Sequence, residues 1–259
     1  TWIIDMHTHA ERRSLEFPTV ENYLQQGVTT IVGGNCGGSP FPINDFMEKT
    51  VQKGIGPNLA LLIGHNTVRK EVMGTENRLA TNKEIDEMQS IIQSAMNEGA
   101  FGMSTGLKYI PGAYSNTEEV IALASTVSKN MGIYATHMRE EGIGLIKSVK
   151  EAIDIGRKAN LPVQISHHKA VGKTMWGNSI KTLELIEEAN AEGIKVTADQ
   201  ADKGIKDQIK DNVKDQLDNA KEQAKEEVEK VKEEIKGNFI GSKDKVKEDA
   251  KNEIDKAKE

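Results

Sequence analysis

The chain has 259 residues, of which 37% are hydrophobic, and a formal net charge of −6 at pH 7. It has neither the clustered basic face expected of a nucleic-acid-binding protein nor an apolar run of about 18 or more residues that could span a membrane. Its single cysteine, Cys36, excludes an internal disulfide bond and favours a reducing compartment, so we expect a cytoplasmic protein.

Short apolar runs alternate with segments of helical periodicity from the start of the chain to about residue 200. This alternation predicts repeated βα units and a parallel sheet. The predicted strands are 3–9, 29–36, 59–65, 99–105, 132–137, 162–168 and 194–199. The predicted helices lie near 18–26, 42–53, 82–98, 117–130, 143–159 and 179–192. Seven strands favour an α/β fold with an incomplete (β/α)8 barrel of the TIM type, and a larger doubly wound open sheet is the alternative.

Residues 201–259 differ in composition, because Lys, Glu, Asp, Asn, Gln and Ala dominate them. Apolar residues recur there about every 3.7 positions between Ile205 and Ile235, which predicts a narrow amphipathic helical stripe. We therefore expect a partial barrel over 1–200 and a charged α-helical tail over 201–259. Such a tail gains little from burial by itself, which makes it a candidate for binding a protein partner.

The ends of the predicted strands carry the residues best suited to bind a metal. His7 and His9 end the first strand and point to the same side of it, because they are two positions apart. Cys36 ends the second strand, and His137 and His167 end the fifth and sixth. The carboxyl ends of barrel strands converge on one mouth, and imidazole and thiolate groups are good zinc ligands. The five residues together predict a metal site at that mouth.

The segments around these five residues resemble the N-acyl-D-amino-acid deacylases (D-aminoacylases) of the amidohydrolase superfamily. The matching motifs are Asp-x-His-x-His after the first strand, Gly-Asn-Cys-Gly around Cys36, Ala-Thr-His-Met-Arg around His137 and Ile-Ser-His-x-Lys around His167. The resemblance runs almost without a gap from residue 3 to residue 200 and does not extend to 201–259. The cysteine distinguishes this branch of the superfamily from relatives that bridge two metals with a carboxylated lysine.

The resemblance implies a tightly bound zinc ion on Cys36, His137 and His167. A second, weaker metal position would use His7 and His9 and would share the cysteine. Zinc held by three protein ligands lowers the pKa of a bound water and polarises a carbonyl group. The implied reaction is the zinc-dependent hydrolysis of small N-acyl-D-amino acids to a carboxylate and a free D-amino acid.

The resemblance also implies where the substrate binds. Lys169 suits the substrate α-carboxylate, with a surface lysine at a strand end as the alternative interpretation, and Arg139 and Tyr114 are candidates for the same role. Asp199 resembles a structural residue or one that supports a ligand. His168 is expected to point away from the site, because neighbouring strand residues face opposite sides.

The chain departs from the family pattern after Asp199. In the family, an aspartate at the end of the eighth strand serves as general base and acid, and we find no counterpart of that strand in 200–259. General acid–base catalysis contributes about a hundred- to ten-thousand-fold in rate. We therefore assign no catalytic residue and expect this chain to be weakly active or inactive.

The sequence leaves two other functions open. If the charged tail determines the role, the protein is a non-catalytic interaction or stress-type helical protein fused to a degenerate barrel. A ring-opening amidohydrolase of the hydantoinase or dihydroorotase kind is a further alternative, although the Gly-Asn-Cys-Gly loop argues against it.

Overall fold

The structure is a computed structural model that describes residues 3–199. The strands in this range are β1 (Ile3–Asp5), β2 (Val28–Gly33), β3 (Asn58–Gly64), β4 (Gly102–Gly106), β5 (Ile133–His137), β6 (Val163–Ile165) and β7 (Val196–Ala198). The α-helices are α1 (Glu11–Ser14), α2 (Glu21–Leu24), α3 (Ile43–Lys53), α4 (His65–Met73), α5 (Asn82–Asn97), α6 (Thr117–Lys129), α7 (Leu145–Ala159) and α8 (Ser179–Ala191). Two short 3-10 helices cover Gly112–Tyr114 and Lys173–Met175.

The seven strands form one sheet in which each strand pairs in parallel with its neighbour along the chain. A doubly wound sheet would reverse its strand order at a switch point, and this order does not reverse. The sheet curls into an incomplete barrel with the helices outside it. The prediction of an α/β, incomplete TIM-type barrel is therefore confirmed for the described part of the chain.

The main hydrophobic core lies between the outer face of the sheet and the helices. Alternation along β3 shows how the sequence builds it, because Leu61 and Ile63 join the large core while Leu62 joins a small cluster with Val32 and Ala135. Helices contribute residues spaced three or four apart, as α7 does with the buried Leu145, Val149, Ala152 and Ile153. Burial of each large side chain contributes about 1.5–3 kcal/mol to stability, so this layer fixes the strands whose ends form the site.

The long helices begin and end within about two residues of their predicted bounds, whereas several shorter elements differ. The predicted helix 18–26 is helical only over Glu21–Leu24, and α1 and α4 were not predicted. His65 was expected to end the third strand, but β3 ends at Gly64 and His65 begins α4. At that point the chain passes the backbone of Gly37 so closely that a side chain on Gly64 would overlap it.

The first strand was expected to reach His9, but it ends at Asp5, whose carboxylate accepts a hydrogen bond from the backbone N–H of His7 at 3.0 Å. The predicted tail over 201–259 and its boundary near residue 200 lie outside the described residues.

Within 3–199, none of the helices combines the length and apolar character needed to cross a membrane.

Candidate metal centre

Cys36 lies at the centre of a cluster of histidines at the carboxyl ends of the strands. Its Sγ atom is 3.5 Å from Nε2 of His7, 3.6 Å from Nδ1 of His137 and 3.7 Å from Nε2 of His167. A sulfur and a nitrogen bound to one tetrahedral zinc are about 3.5 Å apart, given Zn–S and Zn–N bonds of about 2.3 and 2.0–2.1 Å. The three sulfur–nitrogen distances match this value. Mutual distances within 4.8 Å hold for the ligand atoms of two groups among the described residues, His7 with Cys36 and His167, and His137 with Glu141 and His167.

The imidazole rings pack against one another around the cysteine. The ring centroid of His167 is 4.3 Å from that of His137 and 5.0 Å from that of His7. His9 lies at the edge of the group, with its ring centroid 5.5 Å from that of His7. The structure thus brings all five predicted ligands together, and His9 is the one furthest toward the rim.

The electrostatics of the cluster favour an anionic sulfur. Burial raises the pKa of the Cys36 thiol, but hydrogen bonds with His137, His167 and His7 outweigh burial and lower the pKa to about 3. Burial lowers the pKa of His7 and His167, yet the carboxylates of Asp199 and Glu141, together with the cysteine, raise both values to about 9. Without a metal, Cys36 is therefore a thiolate at neutral pH, and the imidazoles of His7 and His167 are protonated. The same thiolate is the form that binds zinc.

The loop that presents Cys36 has an unusual backbone conformation. Cys36 itself has a φ of 55°, and Gly34 and Gly37 beside it have φ values of 75° and 77°. A Cβ on Gly34 would overlap the carbonyl oxygen of Leu62, so only glycine fits at this position. The hydroxyl of Ser104 donates to the carbonyl of Gly34 and accepts from the N–H of Gly37 at 3.0 Å, which fixes the loop on β4.

Carboxylates lie behind three of the histidines, on the side away from the cysteine. Glu141 Oε1 is 2.8 Å from Nδ1 of His167, and Asp199 Oδ1 is 3.7 Å from Nδ1 of His7. Glu11 Oε1 is 4.0 Å from Nδ1 of His9. Sequence patterns did not indicate Glu141 or Glu11, because neither residue ends a predicted strand or lies in one of the family motifs. The only local signal for Glu141 is its place four residues after His137.

Asp199 supports the site through its backbone and side-chain contacts. Its carboxylate accepts the backbone N–H of His167 at 2.6 Å and the side-chain amide of Gln164 at 2.8 Å. Burial raises the pKa of this carboxyl, but the nearby His7 imidazole and the hydrogen bonds from His167 N–H and Gln164 lower it overall. The contacts suit the structural role expected for Asp199.

The three predicted substrate-binding residues lie in different surroundings. Lys169 is beside the cluster, with its Nζ atom 2.7 Å from Glu141 Oε1 and 2.9 Å from His167 Nδ1. Arg139 instead forms a two-bond salt bridge with Glu151 and donates to the carbonyl of Ala113. Tyr114 belongs to the 3-10 helix that contains this carbonyl.

A tyrosine ring and a cleft border the cluster, and sequence patterns indicated neither of them. The ring of Tyr109 lies 4.6 Å from that of His137, centroid to centroid. A cleft of about 530 Å³ opens beside His7 and His9 and is also bordered by Arg13 and Tyr23. Its volume lies in the range of small-molecule sites.

The two remaining histidines of the chain serve the packing of helices. His65 is fully buried and its Nε2 donates to Glu119, which also binds Arg69. His168 is buried as well, and its Nε2 is 2.8 Å from the hydroxyl of Thr182 on α8. His168 therefore points away from the cysteine, as expected.

The chain matches no family model, but it is similar to characterised deacylases over most of its length. It is 38% identical over 211 residues to a D-aminoacylase from Alcaligenes xylosoxydans xylosoxydans, which covers 73% of this chain and 44% of that protein. The solved N-acyl-D-glutamate deacylase from Bordetella bronchiseptica, complexed with zinc and a phosphonate inhibitor, is 31% identical. Its TM-score is 0.73, over 76% of this chain and 46% of that one.

A solved D-aminoacylase described as having a binuclear metal centre is 37% identical, with a TM-score of 0.71 over 76% of this chain and 46% of that one. These similarities confirm the resemblance to the N-acyl-D-amino-acid deacylases. The chain spans a little under half the length of the relatives it matches.

Proposed function

We propose that this chain, as a relative of the N-acyl-D-amino-acid deacylases, holds a zinc ion on Cys36, His137 and His167 and acts on N-acyl-D-amino acids. The observation that carries the proposal is the position of one cysteine sulfur within 3.5–3.7 Å of three histidine nitrogens at the mouth of a partial barrel. The zinc-bound relative from Bordetella bronchiseptica supports the choice of metal.

The donor set fits zinc in its chemistry as well as in its spacing. A thiolate and neutral imidazoles are typical zinc ligands, and three protein ligands leave a position open for reaction. A cysteine whose pKa is lowered to about 3 is ready to bind as thiolate at neutral pH. A bound zinc would acidify water and polarise the amide carbonyl of the substrate. Because Cys36 is a free thiol, a reducing, cytoplasmic setting suits the site.

A second metal position would use His7 and His9 and would share Cys36. The side chain of His9 is about a third exposed. Its nearest carboxylate, that of Glu11, is further away than the carboxylates beside His7 and His167. The less constrained placement of His9 supports weaker binding at this position.

The other residues of the site bind and orient the substrate. We assign Lys169 to the α-carboxylate, because its ammonium group lies beside the cluster and its side chain remains 41% exposed. Arg139 and Tyr114 are secondary candidates for this role. Arg139 donates to the carbonyl of Ala113, the residue that precedes Tyr114. A positioned cation of this kind orients the acyl amide toward the metal site.

Turnover by this chain should be slow. The carboxylate of Asp199 is held by His167 and Gln164, so we assign it to support and not to proton transfer. The sequence after Asp199 has no counterpart of the eighth strand, and the family places its general base at the end of that strand. We therefore expect zinc binding without efficient catalysis in the 259-residue chain.

The proposal is tested with purified protein loaded with zinc. We expect slow hydrolysis of N-acetyl-D-methionine, none of its L-isomer and none of dihydrouracil, and loss of zinc and activity in Cys36→Ala. Hydrolysis of dihydrouracil in preference to the D-amide would favour a ring-opening enzyme. Absence of bound zinc in the parent protein would overturn the proposal.

A further inference from the structure

Glu141 contacts both His167 and Lys169, and these two residues also contact each other. Its carboxylate is 5% exposed, and its Oε1 atom is 2.8 Å from Nδ1 of His167 and 2.7 Å from Nζ of Lys169. The ammonium group is also 2.9 Å from the same ring nitrogen and 3.1 Å from the His167 carbonyl oxygen. One imidazole nitrogen therefore faces an acceptor and a donor at nearly equal distances.

These two neighbours favour opposite forms of the imidazole. A metal can bind His167 only after the ring has lost one of its two protons, and the remaining proton can sit on either nitrogen. If it sits on Nδ1, the ring donates to Glu141 and leaves a lone pair on Nε2, which faces Cys36. If Nδ1 is bare, it accepts from Lys169, and Nε2 then carries the hydrogen and can only donate to the sulfur. Only the first form can bind a metal through Nε2.

We propose that Glu141 is a positioning residue that holds His167 in its metal-binding form, and that Lys169 opposes it by competing for the same ring nitrogen. The inference rests on the proposed zinc site. It adds that metal affinity is set by two residues that need not touch the metal.

The other histidines show why this contact matters most for the tighter position. The carboxylate of Asp199 is 3.7 Å from Nδ1 of His7, and that of Glu11 is 4.0 Å from Nδ1 of His9. Only the Glu141 contact has the length of a hydrogen bond. Among these three rings, His167 therefore has its orientation fixed before a metal arrives, and this lowers the cost of binding.

The arrangement couples the two halves of the site. A substrate carboxylate that attracts Lys169 withdraws the competing donor from His167, and Glu141 then binds the ring alone. Carboxylate binding should therefore strengthen metal binding, and the coupling must act equally in both directions.

The experiment measures the zinc dissociation constant of the full-length chain by competition with a chelator. Glu141→Gln removes the charged acceptor and should weaken zinc binding about 10- to 100-fold, as loss of such partners of ligating histidines does. Lys169→Met removes the competing donor and should tighten zinc binding about 2- to 10-fold, the factor expected for one hydrogen bond. The control variants Glu118→Gln and Lys173→Met remove exposed charges and should leave the constant unchanged.

Opposite signs separate this inference from a purely structural role, in which both substitutions would weaken binding. Equal affinities of the parent and Glu141→Gln, or weaker binding by Lys169→Met, would overturn the inference while the zinc site stands. If the parent chain binds no zinc, the proposed function itself fails. If Glu141→Gln does not fold, the sign of the Lys169→Met change alone decides.

Discussion

At the scale of single residues, the low pKa of the Cys36 thiol dominates the chemistry of the site. Burial opposes the thiolate, but three histidines that approach Sγ within 3.7 Å overcome this effect. A lone buried cysteine would show the reverse, with a raised pKa and little reactivity. The position of Cys36 among these histidines therefore gives it a charge that the residue type alone does not predict.

We predict that Cys36 in the metal-free chain is alkylated by iodoacetamide at a nearly constant rate from about pH 5 to pH 8. The reason is that a thiol with a pKa of about 3 is already ionised throughout this range. In urea the same cysteine should react faster as the pH rises toward about 8.5, its unperturbed pKa. Excess zinc should suppress the reaction of the folded chain. A folded chain whose rate rises tenfold per pH unit up to pH 8 would contradict the low pKa.

At the scale of elements, a buried polar triad joins α4 to α6. Glu119 binds both His65 and Arg69, and all three side chains are at most 1% exposed. Asn116 and Glu119 have the spacing of a capping box, and half of it forms, because the Asn116 side chain accepts the Glu119 N–H at 2.9 Å. The glutamate side chain turns inward to the triad instead. Spacing along the chain predicts the cap, whereas the partners of the glutamate side chain, His65 and Arg69, lie on the distant helix α4.

We predict that Glu119→Gln destabilises the protein by about 3–5 kcal/mol, because it leaves the buried guanidinium of Arg69 without its anion. Burial would raise the pKa of Glu119, but His65 and Arg69 lower it overall. Because the folded pKa is depressed, this stabilisation is present above the unfolded value of about 4.3 and is lost as the pH falls through the folded value. Urea unfolding between pH 2.5 and pH 7 should show that fall in the parent and a smaller one in the variant. Equal stability of the two proteins at pH 7 would contradict the role of the triad.

A second element-scale contact holds the Cys36 loop on β4. Ser104→Ala should cost about 1–3 kcal/mol in the free energy of unfolding, because the N–H of Gly37 and the carbonyl of Gly34 lose their buried partner. The same substitution at the exposed Ser90, which bonds only its own helix, serves as the control. We expect zinc affinity to fall in the first variant and not in the second. An unchanged affinity would show that the loop holds its shape without Ser104.

At the scale of the whole molecule, the sequence predicts the barrel and the meeting of Cys36 with the strand-end histidines better than it predicts their surroundings. Periodicity places the long helices and the strands, because both bury one face of a regular pattern. It fails at His65, where the strand stops one residue early beside Gly37, and at Glu141, whose role arises only when distant strand ends meet. Contacts between elements far apart in the chain have no periodic signature.

Zinc should stabilise the whole chain by linkage. With free zinc at a hundred times its dissociation constant, binding contributes about 2.7 kcal/mol. For a protein of this size we expect a rise in Tm of roughly 5–10 °C, measured by differential scanning calorimetry. Cys36→Ala should abolish the rise, and Ser90→Ala should retain it. A Tm that does not respond to zinc in the parent chain would contradict a specific site.

The most direct test of the metal centre is X-ray absorption at the zinc edge of the zinc-loaded chain. The site built from Cys36, His137 and His167 predicts one sulfur neighbour at about 2.3 Å and nitrogen neighbours at about 2.0–2.1 Å. The sulfur contribution should vanish in Cys36→Ala. A first shell of nitrogen and oxygen alone in the parent protein, or a sulfur signal that survives the substitution, would contradict the assignment of Cys36 as a zinc ligand.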